Sequence, residues 1–241
     1  MGTIINPIGD LSGKVGDFVF RKRNGKTIIS MRPQSYKKSN SERSVNNRAK
    51  FKLSVMLSSS INKNPVLKEI WQNSSSAKQR AAFNVIVQHV NAHISDNDID
   101  TYLNIFPDFG EVNAVPKCLS FSNDSIVVVA KPVSEKYDIS VHAEKAKYIQ
   151  LVGIIKCDNP VDPRRQERII LSFNSDTYNF AIGKENTIRL NIEGERKDIL
   201  EQYFSKRILF GFVILDENKK ILCYSSTFDE TIGAIPYEKS F

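Results

Sequence analysis

The chain has 241 residues, 41% hydrophobic and 25% charged, a balance that places it among globular proteins and excludes disordered and collagen-like classes. No apolar run approaches the roughly 18 residues of a membrane-spanning helix; the longest clean one, Ile126 to Ala130, is strand-sized. The formal charge of +7 is unevenly placed, because residues 1–52 hold twelve Lys and Arg against three acids while the other 189 hold 22 bases against 24 acids.

The N-terminal residues Met1 to Pro7 lack a basic stretch followed by an apolar one, so no secretory signal is expected. Asn6 stands where a myristoylation motif wants Ser or Thr. Cys118, Cys157 and Cys223 are odd in number, widely spaced and without a Cys-x-x-Cys pair, the pattern of reduced thiols in a chain made in the cytoplasm.

The first 40 residues read as a basic β-hairpin arm. Val15, Phe18, Val19 and Phe20 lead into Arg21-Lys22-Arg23-Asn24-Gly25-Lys26, and Thr27, Ile28, Ile29 and Met31 follow. Asn-Gly is the strongest short hairpin signal, since a type I′ turn needs positive φ at both central residues. Gly9, Gly13 and Gly16 read as turn glycines, because Gly13-Lys14-Val15-Gly16 lacks the Gly-Lys-Ser/Thr ending of a phosphate loop and precedes a strand.

Residues 41–112 predict a small three-helix module. Ser41 caps a helix to about Ser58, with Val45, Ala49, Leu53, Met56 and Leu57 at helical spacing and Arg43, Arg48, Lys50 and Lys52 on its other face. Asn64-Pro65 starts a second helix with Val66, Leu67, Ile70 and Trp71 on its apolar side. A third follows Ser74 to Ser76, carrying Phe83, Ile86, Val87, Val90 and Ile94.

Residues 113–241 switch to short β-branched and aromatic runs and predict an antiparallel β-sandwich. The expected strands are 119–121, 126–133, 137–141, 148–155, 168–173, 187–192, 208–215 and 221–225, with hairpin connections at Asn123-Asp124 and Asp216 to Lys220. Glu195 to Phe204 reads as a short helix between strands. The fold class is therefore α+β.

Catalytic and metal-binding patterns fall short of what their chemistry needs. His89 and His93 share a helix face, yet Gln88 and Val90 flank His89 where a metallohydrolase has a Glu, and no third ligand is evident. Asp96-Asn97-Asp98-Ile99-Asp100 opens like a calcium loop, but Thr101 and Pro107 occupy the positions of the required Gly and bidentate Glu. No Gly-x-Ser-x-Gly elbow occurs and Cys157 has no neighbouring His. His142 reads as an ordinary hydrogen-bonded side chain, and Trp71, Phe173, Phe180, Phe210 and Phe212 as core. No enzyme activity, metal or cofactor is expected.

The candidate binding residues are the cations of the arm and first helix: Lys14, Arg21, Lys22, Arg23, Lys26, Arg32, Lys37, Lys38, Arg43 and Arg48. They can meet an acidic face of a neighbouring protein or the phosphates of a nucleic acid; a solvated basic face is the third reading.

Gly13-Lys14-Val15-Gly16-Asp17-Phe18-Val19-Phe20, Arg23-Asn24-Gly25-Lys26, Arg32-Pro33 and Asn47-Arg48-Ala49-Lys50-Phe51 together resemble an uncharacterised bacterial family. Its members begin with a Gly-Lys-Val-Gly strand, an Asn-Gly-Lys turn and an Arg-x-x-Phe helix, and they are similar to proteins of phage-like and mobile-element settings. Where that family has Thr-Pro and Gln entering the helix, this chain has Ser41-Glu42 and Ser44-Val45. The resemblance implies a virion or assembly component. The expected function is a non-enzymatic structural protein that docks through its cationic arm on copies of itself or on neighbouring structural proteins; the alternative is nucleic-acid binding through the same arm. Cytoplasmic synthesis and assembly into a particle go with the first reading.

Overall fold

The structure, a computed structural model, describes residues 2–4, 13–23, 26–32, 35, 39–74, 81–95, 98–108, 112–122, 124–134 and 144–232. The fold is α+β with antiparallel sheets. The chain divides into two compact units, residues 1–45 and 46–241.

The first unit is a sheet of four strands: β1 (Gly2–Ile4), β2 (Gly13–Val15), β3 (Phe18–Arg23) and β4 (Lys26–Met31), in the order β1-β4-β3-β2. Arg23 pairs with Lys26 across the expected hairpin, whose turn residues lie outside the described ones. The expected two-stranded arm is thus broadened by a strand on each side, which suits the marginal stability of a lone hairpin. Gly16 has φ +56° at the first central position of the β2–β3 turn, where a type II′ hairpin requires glycine.

The second unit begins within α1 (Glu42–Lys63) and continues with α2 (Pro65–Asn73) and α3 (Ala82–Ala92). Asn64 starts α2 by accepting hydrogen bonds from the amides of Val66 and Leu67, at 3.0 and 3.2 Å, and the Ser74 hydroxyl ends it by donating to the Trp71 carbonyl at 2.8 Å. A short hairpin, β5 (Ile94–Ser95) and β6 (Asp98–Ile99), follows. The remaining elements are β7 (Pro116–Phe121), β8 (Ser125–Ala130), β9 (Tyr148–Pro160), β10 (Arg168–Asn174), β11 (Tyr178–Asn179), β12 (Asn186–Asn191), α4 (Glu195–Glu201), β13 (Tyr203–Leu215), β14 (Ile221–Tyr224) and β15 (Phe228–Ile232). The strand expected over 137–141 lies outside the described residues.

A six-stranded sheet forms around β9 and β13, and a three-stranded one has the order β12-β8-β7. Side chains alternate across a strand, so β9 and β13 feed two cores. Ile149, Leu151 and Ile155 of β9, with Ile208, Phe210 and Phe212 of β13, meet Ile126 and Val128 of β8 and Ile188 of β12. On the other face Val152, Ile154, Leu209 and Val213 lie in one cluster with Leu57, Ile61, Leu67, Trp71, Ile86 and Val90.

The expectation of a small three-helix module is therefore corrected, and the question the sequence leaves open, whether the helices stand apart or pack on the strands, is answered by their packing. Helices α1 to α3 form where expected, but their apolar sides cover the six-stranded sheet, because strands as apolar as β9 and β13 need a layer on each face. Residues 41–112 and 113–241 share one compact unit from residue 46 onward. The Ser60 hydroxyl donates to the Ile170 carbonyl at 2.9 Å and Asn64 Nδ2 to that of Phe173 at 2.8 Å, stitching this layer to β10.

Gly211 leaves room for the Phe106 ring: a Cβ there would lie 2.4 Å from Phe106 Cε2. Phe106 is fully buried and stacks on Tyr224 with centroids 4.9 Å apart. Gly211→Ala is expected to lower stability by about 1–3 kcal/mol, the usual cost of overpacking, read as a lower urea midpoint at unchanged slope.

Candidate functional site

The N-terminal sheet has two unlike faces. Register pairs Lys14 with Val19, Val19 with Ser30 and Arg21 with Ile28, which puts Lys14, Arg21, Lys26, Val19, Ile28 and Ser30 on one side. Val15, Phe18, Phe20, Ile29 and Met31 fall on the other, with Lys22 and Thr27 toward the hairpin tip. No described residue of the first unit whose side chain is placed is buried. A sheet with an apolar face ordinarily buries it against a second layer.

Of the ten predicted cations, Lys14, Arg21 and Lys26 are thus brought together on one face, and Lys22 is turned to the other. Arg23 is placed in β3 opposite Lys26. Arg32 follows β4, its amide donating to the Asp17 carbonyl at 2.7 Å. Arg43 and Arg48 are exposed on α1, within the first and second unit respectively. Lys37 and Lys38 lie outside the described residues.

A second charged cluster, which periodicity alone does not disclose, sits at the end of the helix-facing core. Lys156 of β9 has a side chain only 4% exposed and meets Asp98 at 2.7 Å and Asp158 at 2.5 Å. Arg168 reaches the same Asp158 at 2.5 Å. Arg207 of β13 grips Asp229 of β15 with its guanidinium fork, at 2.5 to 3.1 Å, and gives a further proton to the Ile99 carbonyl at 2.6 Å. The signal was a lysine inside an apolar run, Ile154-Ile155-Lys156-Cys157, and an arginine at the head of one, Arg207-Ile208-Leu209-Phe210.

The network also accounts for the calcium-like segment. Asp98 accepts from Lys156, and Asp100 accepts from the Tyr102 amide at 3.2 Å, so these oxygens serve an ion pair and a turn. Burial pushes the Asp98 carboxyl up, but the Lys156 ammonium, the Ile99 amide and the Arg207 guanidinium outweigh it and hold it below its ordinary value. A depressed carboxyl adds stability above its unfolded pKa and loses it as pH falls through the folded one.

Lys156→Ala is expected to cost about 1–3 kcal/mol at neutral pH, because it removes two charge-assisted hydrogen bonds while Asp158 keeps Arg168 and Asp98, more than half exposed, stays solvated. Chemical denaturation from pH 7 down to pH 3 should show the gap from the wild type narrowing below the ordinary aspartate pKa of about 3.9.

The remaining candidates settle into structural roles. Trp71 is buried and donates from Nε1 to the Ile105 carbonyl at 2.9 Å. His89 lies edge-on to Trp71, and its Nε2 is 2.8 Å from the Asn104 carbonyl, which can only accept, so that nitrogen carries the proton. Burial pulls the His89 imidazole down, the Asn104 hydrogen bond opposing it. Among the described residues no group of three His, Cys, Asp or Glu is placed to hold a metal ion. His142 lies outside them. A surface groove of about 570 Å³ runs between α1 and the start of β10, lined by Leu53, Met56, Lys52 and Arg168 among others.

Cys157 is buried, and desolvation pushes its thiol up to about 12; Cys223 is buried and Cys118 exposed. A thiol reagent at pH 8 should therefore titrate one cysteine rapidly in the native protein and the other two only on unfolding. A Cys118→Ser variant should lose the fast phase.

No protein-family model matches the chain, and no curated protein matches it. Among solved structures, a DUF3823 family protein from Bacteroides ovatus is similar over 46% of this chain at 14% identity, with a TM-score of 0.23. The chain spans about half (49%) of that protein's length. A likeness of this degree assigns neither fold nor function.

Proposed function

We propose that this chain is a non-enzymatic structural assembly protein, a component of a phage or phage-like particle, that docks on neighbouring subunits through its cationic N-terminal sheet. The observation that carries this reading is a four-stranded sheet without a buried residue among those whose side chains are placed, bearing Lys14, Arg21 and Lys26 on one face. A sheet built this way gains stability by acquiring a partner layer, and the cations select a partner of opposite charge. The three-layer body gives that sheet a carrier, and its own outer surfaces supply further contacts.

The same three cations would suit phosphates, so the test must separate protein from nucleic acid. Light scattering on the full chain at about 50 mM and about 500 mM salt, with and without a random DNA duplex, does so. The expected result is assembly at low salt without DNA that weakens at least tenfold at high salt and is lost in the variant Lys14→Gln, Arg21→Gln, Lys26→Gln. A monomer that shifts only when DNA is added, with a salt slope that falls in that variant, would transfer the role to nucleic acid. A chain monomeric under every condition and absent from particles would remove the assembly reading.

A further inference from the structure

The apolar face of the N-terminal sheet has a definite relief. Val15, Phe18 and Met31 form one row across β2, β3 and β4 and are 63%, 47% and 71% exposed. The next row is Phe20 beside Ile29, flanked by Gly13 of β2 and Gly2 of β1. A Cβ on Gly13 would meet nothing within 4 Å, so a two-residue ridge stands beside a bare position. The third row, Lys22 and Thr27, lies at the hairpin tip.

What can cover such a face must itself be apolar. Phosphates and acidic protein surfaces match the opposite face, where Lys14, Arg21 and Lys26 stand. Elsewhere the exposed large hydrophobics, Val45, Phe51, Tyr102, Val161 and Phe204, come from α1, the connections after β6 and β9, and the start of β13. Among the described residues, the contiguous apolar sheet surface that this chain can offer a copy of itself is this face.

We propose that it packs on the same face of a second copy, about a two-fold axis through the Phe20–Ile29 row, with the two sheets antiparallel. The inference deepens the assembly reading and rests on it. Charge sets the orientation. Arg21, Lys22 and Lys26 lie toward one end of the sheet, and the Gly16-Asp17 turn, with Arg32 beside it, lies at the other. Antiparallel packing sets each cationic end over the less charged end, where Asp17 partly offsets Lys14 and Arg32; parallel packing would superpose the two cationic ends. Each sheet then gains its missing layer, as in aligned sheet packing.

Size sets the strength. Four strands about 4.8 Å apart and about six residues of 3.3 Å each give a face on the order of 400 Å². Two such faces bury about 800 Å², short of the roughly 1,200–2,000 Å² of stable complexes. The pair is therefore weak alone and becomes effective when copies are already held side by side, where the second contact is intramolecular.

The test is sedimentation of the full chain at about 1 M sodium chloride, where charge contacts are screened beyond about 3 Å, together with cross-linking. At about 1 mM chain, a concentration at which a weak contact is populated, the wild type should form a reversible dimer at high salt. Phe20→Glu and Phe20→Lys should each weaken it at least tenfold, and an equimolar mixture of the two at low salt should recover it. In a Cys118→Ser background, mild oxidation should link copies carrying Ile29→Cys much faster than copies carrying Ile28→Cys, which report the opposite face. Equal cross-linking from both faces, or a dimer indifferent to Phe20→Glu, overturns the pairing. A high-salt monomer that still assembles at low salt overturns the pairing and leaves the assembly reading standing; a monomer under both conditions removes both.

Discussion

The pairing of β9 with β13 is the constraint on which the rest of the body depends. These two strands run antiparallel from Tyr203 opposite Pro160 to Leu215 opposite Tyr148, and both are buried on both faces. A ribbon of that kind cannot be left half-covered, since each apolar side chain returned to water forfeits about 1.5–3 kcal/mol. The helical layer and the three-stranded sheet follow from it as its two covers. Even the glycines within it have partners to admit: Gly153 and Gly211 make room for the rings of Phe173 and Phe106.

The charged network closes the end of this ribbon where the helices no longer cover it. Lys156 and Arg207 are direct cross-strand neighbours of like charge, an arrangement that would repel without Asp98, Asp158 and Asp229 around it. The cluster also fixes the β5–β6 hairpin against the sheet, through Asp98 and the Ile99 carbonyl. Its titratable groups are thus accounted for by architecture. Among the described residues whose side chains are placed, those of the N-terminal sheet include none that is buried and none that belongs to either core.

Much of this was legible in the sequence, and the shortfalls have physical causes. The β3–β4 hairpin is announced by Asn24-Gly25 between two runs rich in β-branched and aromatic residues, and α2 by Asn64-Pro65. β9 was expected to stop at Ile155 and instead reaches Pro160, because Lys156 and Asp158 look like a strand end until their partners, far along the chain, are known. For the same reason β13 starts at Tyr203 rather than Ile208, and the helix expected to run to Phe204 ends at Glu201. α1 extends to Lys63 with Ser54, Ser58 and Ser60 buried, a face that hydropathy passes over. That the helices form a layer over the sheet rather than a module of their own is a matter of which apolar faces meet, and periodicity reports only that such faces exist. The cationic face of the N-terminal sheet was legible as charge, while the division of Lys22 from Lys14, Arg21 and Lys26 needed the strand register.

The placement of the thiols bears on where such a protein can hold its shape. Cys157 and Cys223 lie within the core, the first with its proton held tightly by burial, and neither belongs to a disulfide. No oxidisable lock braces the body, and its cohesion comes from apolar burial and from ion pairs that glutathione and oxygen leave alone. The folded body accordingly owes nothing to a disulfide, and its cohesion does not depend on the redox potential around it.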